Sequence, residues 1–293
     1  MQFSEHGKSQ PPQGLTRPAR ALVGWMPQEQ GEMVLQGNTI GNEVTAEQRE
    51  VARQARESVA ARSAGLDQDD LISEPPSQLD EHIARLRKSE SATAFFREGW
   101  RVQVVDLPRV CAFQPSIFTD SAAERVMDIK HDDLAGIAAV SLPAESPEPP
   151  RVQFDQGRQA YMVLSPNPNL RIVGQFGGPV PDQPGAAALG FIVRVMPSPM
   201  QVIRFRGRYI LRDGYHRALG LLDQGITQVP VFTRTMETIE QVALPGMLPQ
   251  DAYLGERPPL LRDYRDDTVA RDVRLPAVQR MIVIQGNELS PGG

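Results

Sequence analysis

Between residues 200 and 233 the hydrophobic period of this 293-residue chain changes twice, from two to 3.6 and back, and few folds admit that switch. Residues 200–205 read as a strand, Arg206-Gly207 as a tight turn and 208–211 as the return strand, because β-branched and aromatic residues flank a glycine that accepts positive φ. Residues 214–224 then read as a helix: Tyr215, Ala218, Leu219 and Leu222 fall at i, i+3, i+4 and i+7, and Gly225 closes it. Residues 229–232 form the next strand. Such a unit needs a sheet on which to lay its helix, which places the chain in the α+β class.

The rest of the chain is less periodic. Residues 1–44 are rich in Gln, Gly and Pro and predict a largely flexible segment, in which Trp25, Met26, Met33, Val34 and Leu35 are the candidates to dock as short pieces. Thr45 with Gln48 three later is a capping box, opening a helix through Ala60 whose Glu and Arg residues mark a solvated face. After Pro75-Pro76 a second helix is predicted over 77–96, with Leu79, Ile83, Leu86, Phe95 and Phe96 on its apolar side. Residues 101–107 and 112–118 read as strands, the latter interrupted at Pro115, and Asp132 and Asp133 precede a short amphipathic helix. Residues 143–150 read as a loop. Apolar runs at 159–164, 170–176 and 190–196 read as strands, with a long turn over 177–185. The tail from 233 shows polar helical pieces, a Pro-rich stretch over 245–259 and a strand-like run at 281–284.

Composition narrows the class. No run approaches the roughly 18 apolar residues of a membrane span, and residues 1–20 lack a secretory signal core, so a soluble cytoplasmic protein without a membrane partner is expected. The single cysteine, Cys111, excludes an internal disulfide and a multi-thiolate zinc site and reads as a buried small hydrophobe. The four histidines (6, 82, 131 and 216) have no metal-ligand spacing, so no protein-built metal site is expected; Lys130-His131-Asp132-Asp133 reads as a helix cap and Phe176-Gly177-Gly178-Pro179 as a turn. A net charge of −5 argues against a surface built to coat duplex DNA.

The start of helix 214–224 carries the chemistry. Asp213 is placed as its N-cap, and Gly214 leaves room for a group to approach the N–H groups of the first turn. His216 and Arg217 lie off the apolar face, at the positive pole of the helix, where each charge is unfavourable by roughly 0.3–1 kcal/mol until an anion binds. Residues 201–234 hold six arginines against Asp213 and Asp223, a local excess that suits phosphate. The alternative reading is a capped helix beside a solvated hairpin.

The run Tyr209-Ile210-Leu211-Arg212-Asp213-Gly214-Tyr215-His216-Arg217-Ala218, followed by Gly225 and Val229-Pro230-Val231, resembles the ParB/sulfiredoxin-like superfamily over about thirty residues. The resemblance implies a mixed sheet with flanking helices over 100–235, preceded by a helical region over 45–99 and followed by an extension over 236–293. It implies a bound nucleoside triphosphate, ATP or CTP with or without Mg²⁺, whose phosphates meet Gly214, His216, Arg217 and Arg212, with Asp213 shaping the turn or touching metal or substrate. Relatives include partition clamps, sulfinic acid reductases, amino-acid kinases and nucleases. Tyr215 stands where the reductases have their cysteine, and the tail after residue 232 shows no helix-turn-helix, so DNA is the less expected partner. Kinase-like phosphoryl transfer or nucleotide hydrolysis on a small-molecule or protein substrate is the leading expectation, with Asp213, His216 and Glu124 as catalytic candidates and Asp120 and Asp106 as further carboxylates for a base or Mg²⁺. A non-catalytic nucleotide-gated scaffold or DNA-associated regulator is the alternative, and homo-oligomer formation stays open.

Overall fold

The computed structural model describes residues 16–38, 43–145, 149–165, 169–242, 244, 246–276 and 280–285. The protein is mixed α+β, with several small sheets. In chain order the amino-terminal elements are β1 (Thr16–Ala21), α1 (Gln28–Leu35), α2 (Ala46–Ala60), β2 (Ile72–Ser73), α3 (Asp80–Lys88), α4 (Glu90–Arg97), β3 (Arg101–Asp106), β4 (Ser116–Phe118), α5 (Thr119–Glu124) and α6 (Leu134–Ser141). Then follow β5 (Arg151–Asp155), β6 (Ala160–Ser165), β7 (Leu170–Pro179), β8 (Ala187–Val195), β9 (Gln201–Phe205), β10 (Arg208–Asp213), α7 (Tyr215–Asp223) and β11 (Gln228–Thr235). Short helices α8 (Ile239–Val242) and α9 (Gln250–Leu254) and strands β12 (Arg271–Pro276) and β13 (Arg280–Gln285) complete the described chain.

The periodic unit read from the sequence builds the central sheet, of order β10-β9-β11-β3-β2. The β9–β10 hairpin turns at Arg206-Gly207, both at positive φ, and α7 returns the chain so that β11 lies parallel to β9 and antiparallel to β3. Ala218, Leu219, Leu221 and Leu222 of α7 are all buried in the main core, each leucine contributing roughly 1.5–3 kcal/mol by leaving water. α5 approaches α7 closely because residue 220 is glycine: a Cβ there would lie 2.3 Å from the Ala122 carbonyl oxygen and 2.7 Å from Val126 Cγ2.

Three sequence expectations are corrected. The flexible segment does not extend through residue 44, since β1 pairs with both β12 and β4 and the stretch Ala21 to Met26 is buried. Composition hid this because the order comes from strands far along the chain. The helix expected over 77–96 is two helices. Ser89 adopts extended backbone between them and caps α4 by accepting from the Ala92 N–H at 3.2 Å. Finally, 176–179 is not a turn but the end of β7, paired with β8 through Pro179↔Ala187.

The capping box at Thr45 and Gln48 forms, and α2 turns its charged face outward while Ala52 and Ala55 are buried. Asp133 caps α6 by accepting from the Gly136 N–H at 2.8 Å. The carboxy-terminal region is part of the main core through Leu261, Tyr264, Val269 and Leu275. A separate small core, Val163, Leu170 and Val195, lies within β6, β7 and β8.

Gly220→Ala is expected to destabilise the protein by about 1–3 kcal/mol, because the colliding atom is backbone and α5 must move as a unit. Urea unfolding of the two proteins measures this directly.

Candidate functional site

The turn that joins β10 to α7 is set by Gly214, at φ 103°. This is left-handed backbone, which a side chain would strain. Gly214 itself is the N-cap, and no side chain among the described residues caps the helix. The expectation that Asp213 caps α7 is therefore corrected: its Oδ2 accepts from Ser198 Oγ at 2.5 Å. The space beside Gly214 is also not open on its Cβ side, where a Cβ would meet Met200 Cγ at 2.4 Å.

Tyr215 anchors this turn. Its hydroxyl accepts from the Phe113 N–H at 2.9 Å and donates to the Leu211 carbonyl at 2.5 Å, tying the helix start to the chain between β3 and β4 and to β10. Burial raises its pKa well above the usual phenol value, so it stays a neutral hydroxyl. The Tyr215 side chain is therefore a structural bolt at this turn.

His216 and Arg217 depart from the apolar-face reading in different ways. Arg217 is buried, and its Nη1 donates to the Val140 carbonyl at 3.1 Å. Burial lowers its pKa to about 10, opposed by the nearby Asp213 carboxylate and reinforced by Arg125. A long side chain can leave the apolar stripe and still be enclosed, here against the end of α6. The His216 imidazole lies parallel to the Phe118 ring, centroids 6.2 Å apart. Its Nε2 is buried and has no hydrogen-bond partner among the described residues, and the same holds for the hydroxyl of Ser141 next to Val140. Burial, followed by the charges of Arg125, Arg17 and Arg217, pushes its pKa down to about 4 against the opposing pull of Asp120. Histidine is neutral here at pH 7.

Two of these groups come from strands that the sequence did not connect with the turn. β1 lies beside β4 with Ala19 opposite Phe118, which brings Arg17 over the Phe118 ring at 5.0 Å. Arg17 also makes a two-pronged ion pair with Asp120, at 2.9 and 2.8 Å, and donates to Ser121 Oγ. Arg125, one residue past α5, is exposed, and its side chain makes no hydrogen bond or ion pair among the described residues. Phe118, Arg17 and Arg125 had no local motif; only strand pairing across about a hundred residues assembles them.

The remaining predicted residues divide. Asp120 reaches the turn electrostatically but is committed to Arg17, which holds its carboxyl below the usual range. Glu124 is exposed at the end of α5 and is not among the charges acting on His216 or Arg217. Asp106 lies at the far end of β3, opposite Gln228 and 3.7 Å from Arg109. Arg212 turns to Gln201, its Nη1 3.2 Å from Oε1. The six arginines of 201–234 do not converge either, because Arg204, Arg206 and Arg208 sit at the other end of the hairpin.

Cys111 is buried, and burial pushes its thiol up to about 12, so it is inert at neutral pH. Among the described residues no cluster of three or more His, Cys, Asp or Glu could hold a metal, and no helix is long and apolar enough to cross a membrane. A cleft of about 690 Å³ is lined by Arg62, Arg257, Arg262, Arg265, Asp263 and Asp266 and includes none of residues 213–217. Its arginines are largely occupied: Arg62 pairs with both aspartates, Arg257 donates to the Arg62 carbonyl and Arg265 to that of Leu222. That network staples the carboxy-terminal region to the turn after α2.

Tyr215→Phe removes two buried hydrogen bonds and leaves the Phe113 N–H unpaired, so a loss of about 1–3 kcal/mol in urea unfolding is expected. His216 carries a second expectation. Its folded pKa of about 4 lies below the ordinary 6.5, so the unfolded chain takes up its proton first and stability falls as pH drops from 6.5 through 4. The full loss is on the order of 3 kcal/mol. His216→Gln should flatten that part of the stability-versus-pH curve, and an unchanged difference between the two proteins across that interval would refute it. Known proteins supply no further constraint: no protein family, curated protein or solved structure compared with this chain matches it.

Proposed function

We propose that the β10–α7 turn binds the phosphates of a nucleoside triphosphate, in a domain of the ParB/sulfiredoxin-like type. The observation that carries this reading is the uncapped, left-handed start of α7, with the buried unpartnered Nε2 of His216 and the charges of Arg17, Arg125 and Arg217 gathered at it. First-turn N–H groups and guanidinium groups both match phosphate oxygens, and a bound dianion relieves the mutual repulsion of the cations. The strand order supports the same reading, since a hairpin delivers the turn and β11 returns parallel to β9.

Binding is better supported than turnover. Glu124 and Asp106 are not at the turn, and Asp120 is neutralised by Arg17, so none of these three carboxylates is free there to act as a base. Asp213, hydrogen-bonded to Ser198, remains the acidic group nearest Arg217 and would orient rather than abstract. A nucleotide-gated scaffold is thus favoured over a kinase-like phosphotransferase or hydrolase, and Mg²⁺ would reach the protein through the phosphates, not through a carboxylate cluster.

Thermal shift with ATP, CTP and GTP, each with Mg²⁺, tests the proposal: a nucleotide at 100 times its Kd stabilises by about 2.7 kcal/mol. Absence of a shift with all three overturns it. Arg125→Ala, at an exposed position that leaves folding intact, should weaken binding about tenfold, or 1.4 kcal/mol. Affinity should rise as pH is lowered from 7 towards 5, because a bound anion raises the pKa of His216 and so takes up a proton, and this rise should vanish in His216→Gln.

A further inference from the structure

The arginines left over at the far end of the hairpin have company on one sheet face. Tyr209 pairs with Arg204 across β10 and β9, Arg204 with Thr235 across β9 and β11, and Thr233 with Arg101 across β11 and β3. Side chains two apart on a strand share a face. Arg204, Tyr209, Thr233, Arg101 and Gln103 therefore line one open cleft, about 500 Å³ in volume, with Arg234 beside them.

Its charge is not spent internally. Arg101 and Arg204 are exposed, and neither side chain has an ion pair or hydrogen bond among the described residues. Arg204 lies over the partly exposed Tyr209 ring at 5.6 Å. Arg234 pairs with Glu98 at 3.2 Å, and Glu74 is taken by the Gln103 amide at 3.2 Å. Arg206, at the hairpin tip, is also exposed. On a protein of net charge −5 this is a local positive surface with an aromatic ring in it.

Two features select the ligand. With β11 between β9 and β3, and Arg204 opposite Thr235 but Arg101 opposite Thr233, the two backbones stand roughly 12 Å apart, two strand spacings across and two residues along, a span over which the two guanidinium groups can meet separate phosphates of one strand. The Thr233 hydroxyl donates to the Gln103 amide oxygen, so the groups left for a ligand are the arginines and the ring, and an open sheet face of that kind holds an unpaired polynucleotide, phosphates on cations and a base on the ring. A duplex fits poorly, since the acidic remainder of the surface would repel its dense charge. We propose that this face binds single-stranded nucleic acid, with Arg101 and Arg204 neutralising separate phosphates and Tyr209 supporting a base. The inference rests on a different surface from the α7 turn and stands or falls apart from it.

Fluorescence anisotropy of labelled twelve-nucleotide oligo(dT) and oligo(U) with the full chain tests it. Two to three phosphate contacts predict an affinity that falls about sevenfold to twentyfold between 50 and 200 mM salt. The exposed double substitution Arg101→Glu/Arg204→Glu should weaken binding at least tenfold, whereas Arg125→Glu at the α7 turn should leave it unchanged. Absence of binding at 50 mM salt overturns the proposal. So does retention of affinity by the double variant, loss confined to Arg125→Glu, or equal binding of a polyglutamate peptide, which would mark an acidic protein partner instead.

Discussion

The candidate site depends on how the first turn of α7 is held, and the Tyr215 hydroxyl holds it. By accepting from Phe113 and donating to Leu211 it joins the helix start to two backbone segments at once, within a buried environment that also includes Tyr264. The hydrogen bonds of a buried hydroxyl fix direction as well as position, because a misaligned group would be left unsatisfied. With Tyr215 bolted down, His216 and Arg217 have little choice of direction, and Gly214 has to adopt the left-handed conformation that closes the turn.

Around that fixed point the protein gathers positive charge that its carboxylates offset only in part, since the Arg125 side chain has no ion pair among the described residues. Burial already disfavours charge on His216 and Arg217, and each further cation raises that penalty. Asp213, placed to moderate Arg217, and Asp120, placed to neutralise Arg17, limit the repulsion in the free protein. Asp120 is thereby committed to Arg17, and the Asp213 carboxylate accepts from the Ser198 hydroxyl.

The strand–turn–strand–helix–strand unit was legible because both of its periods are local properties, repeated over enough residues to be read without knowledge of partners. The caps at Thr45 and Asp133 were legible for the same reason. Asp213 misled for a related one: it has the composition of a cap, but the glycine after it accepts the special backbone angle, and a serine from the preceding loop claims the carboxylate. The order of residues 16–38 was hidden, since a six-residue strand with two flanking partners needs no strong pattern of its own.

The sequence by itself determined that a helix begins at residues 213–217 on a sheet and that glycine, histidine and arginine stand at its positive pole, because helix period, turn chemistry and local charge are encoded within a few neighbours. The tertiary structure decided what surrounds that pole. It brought Arg17, Phe118 and Arg125 to His216, sent Arg204 and Arg206 to the opposite end of the hairpin, buried Arg217 and left Glu124 in solvent. Those outcomes follow from strand order and register, which depend on which distant segments pair, and no residue's own neighbours specify that.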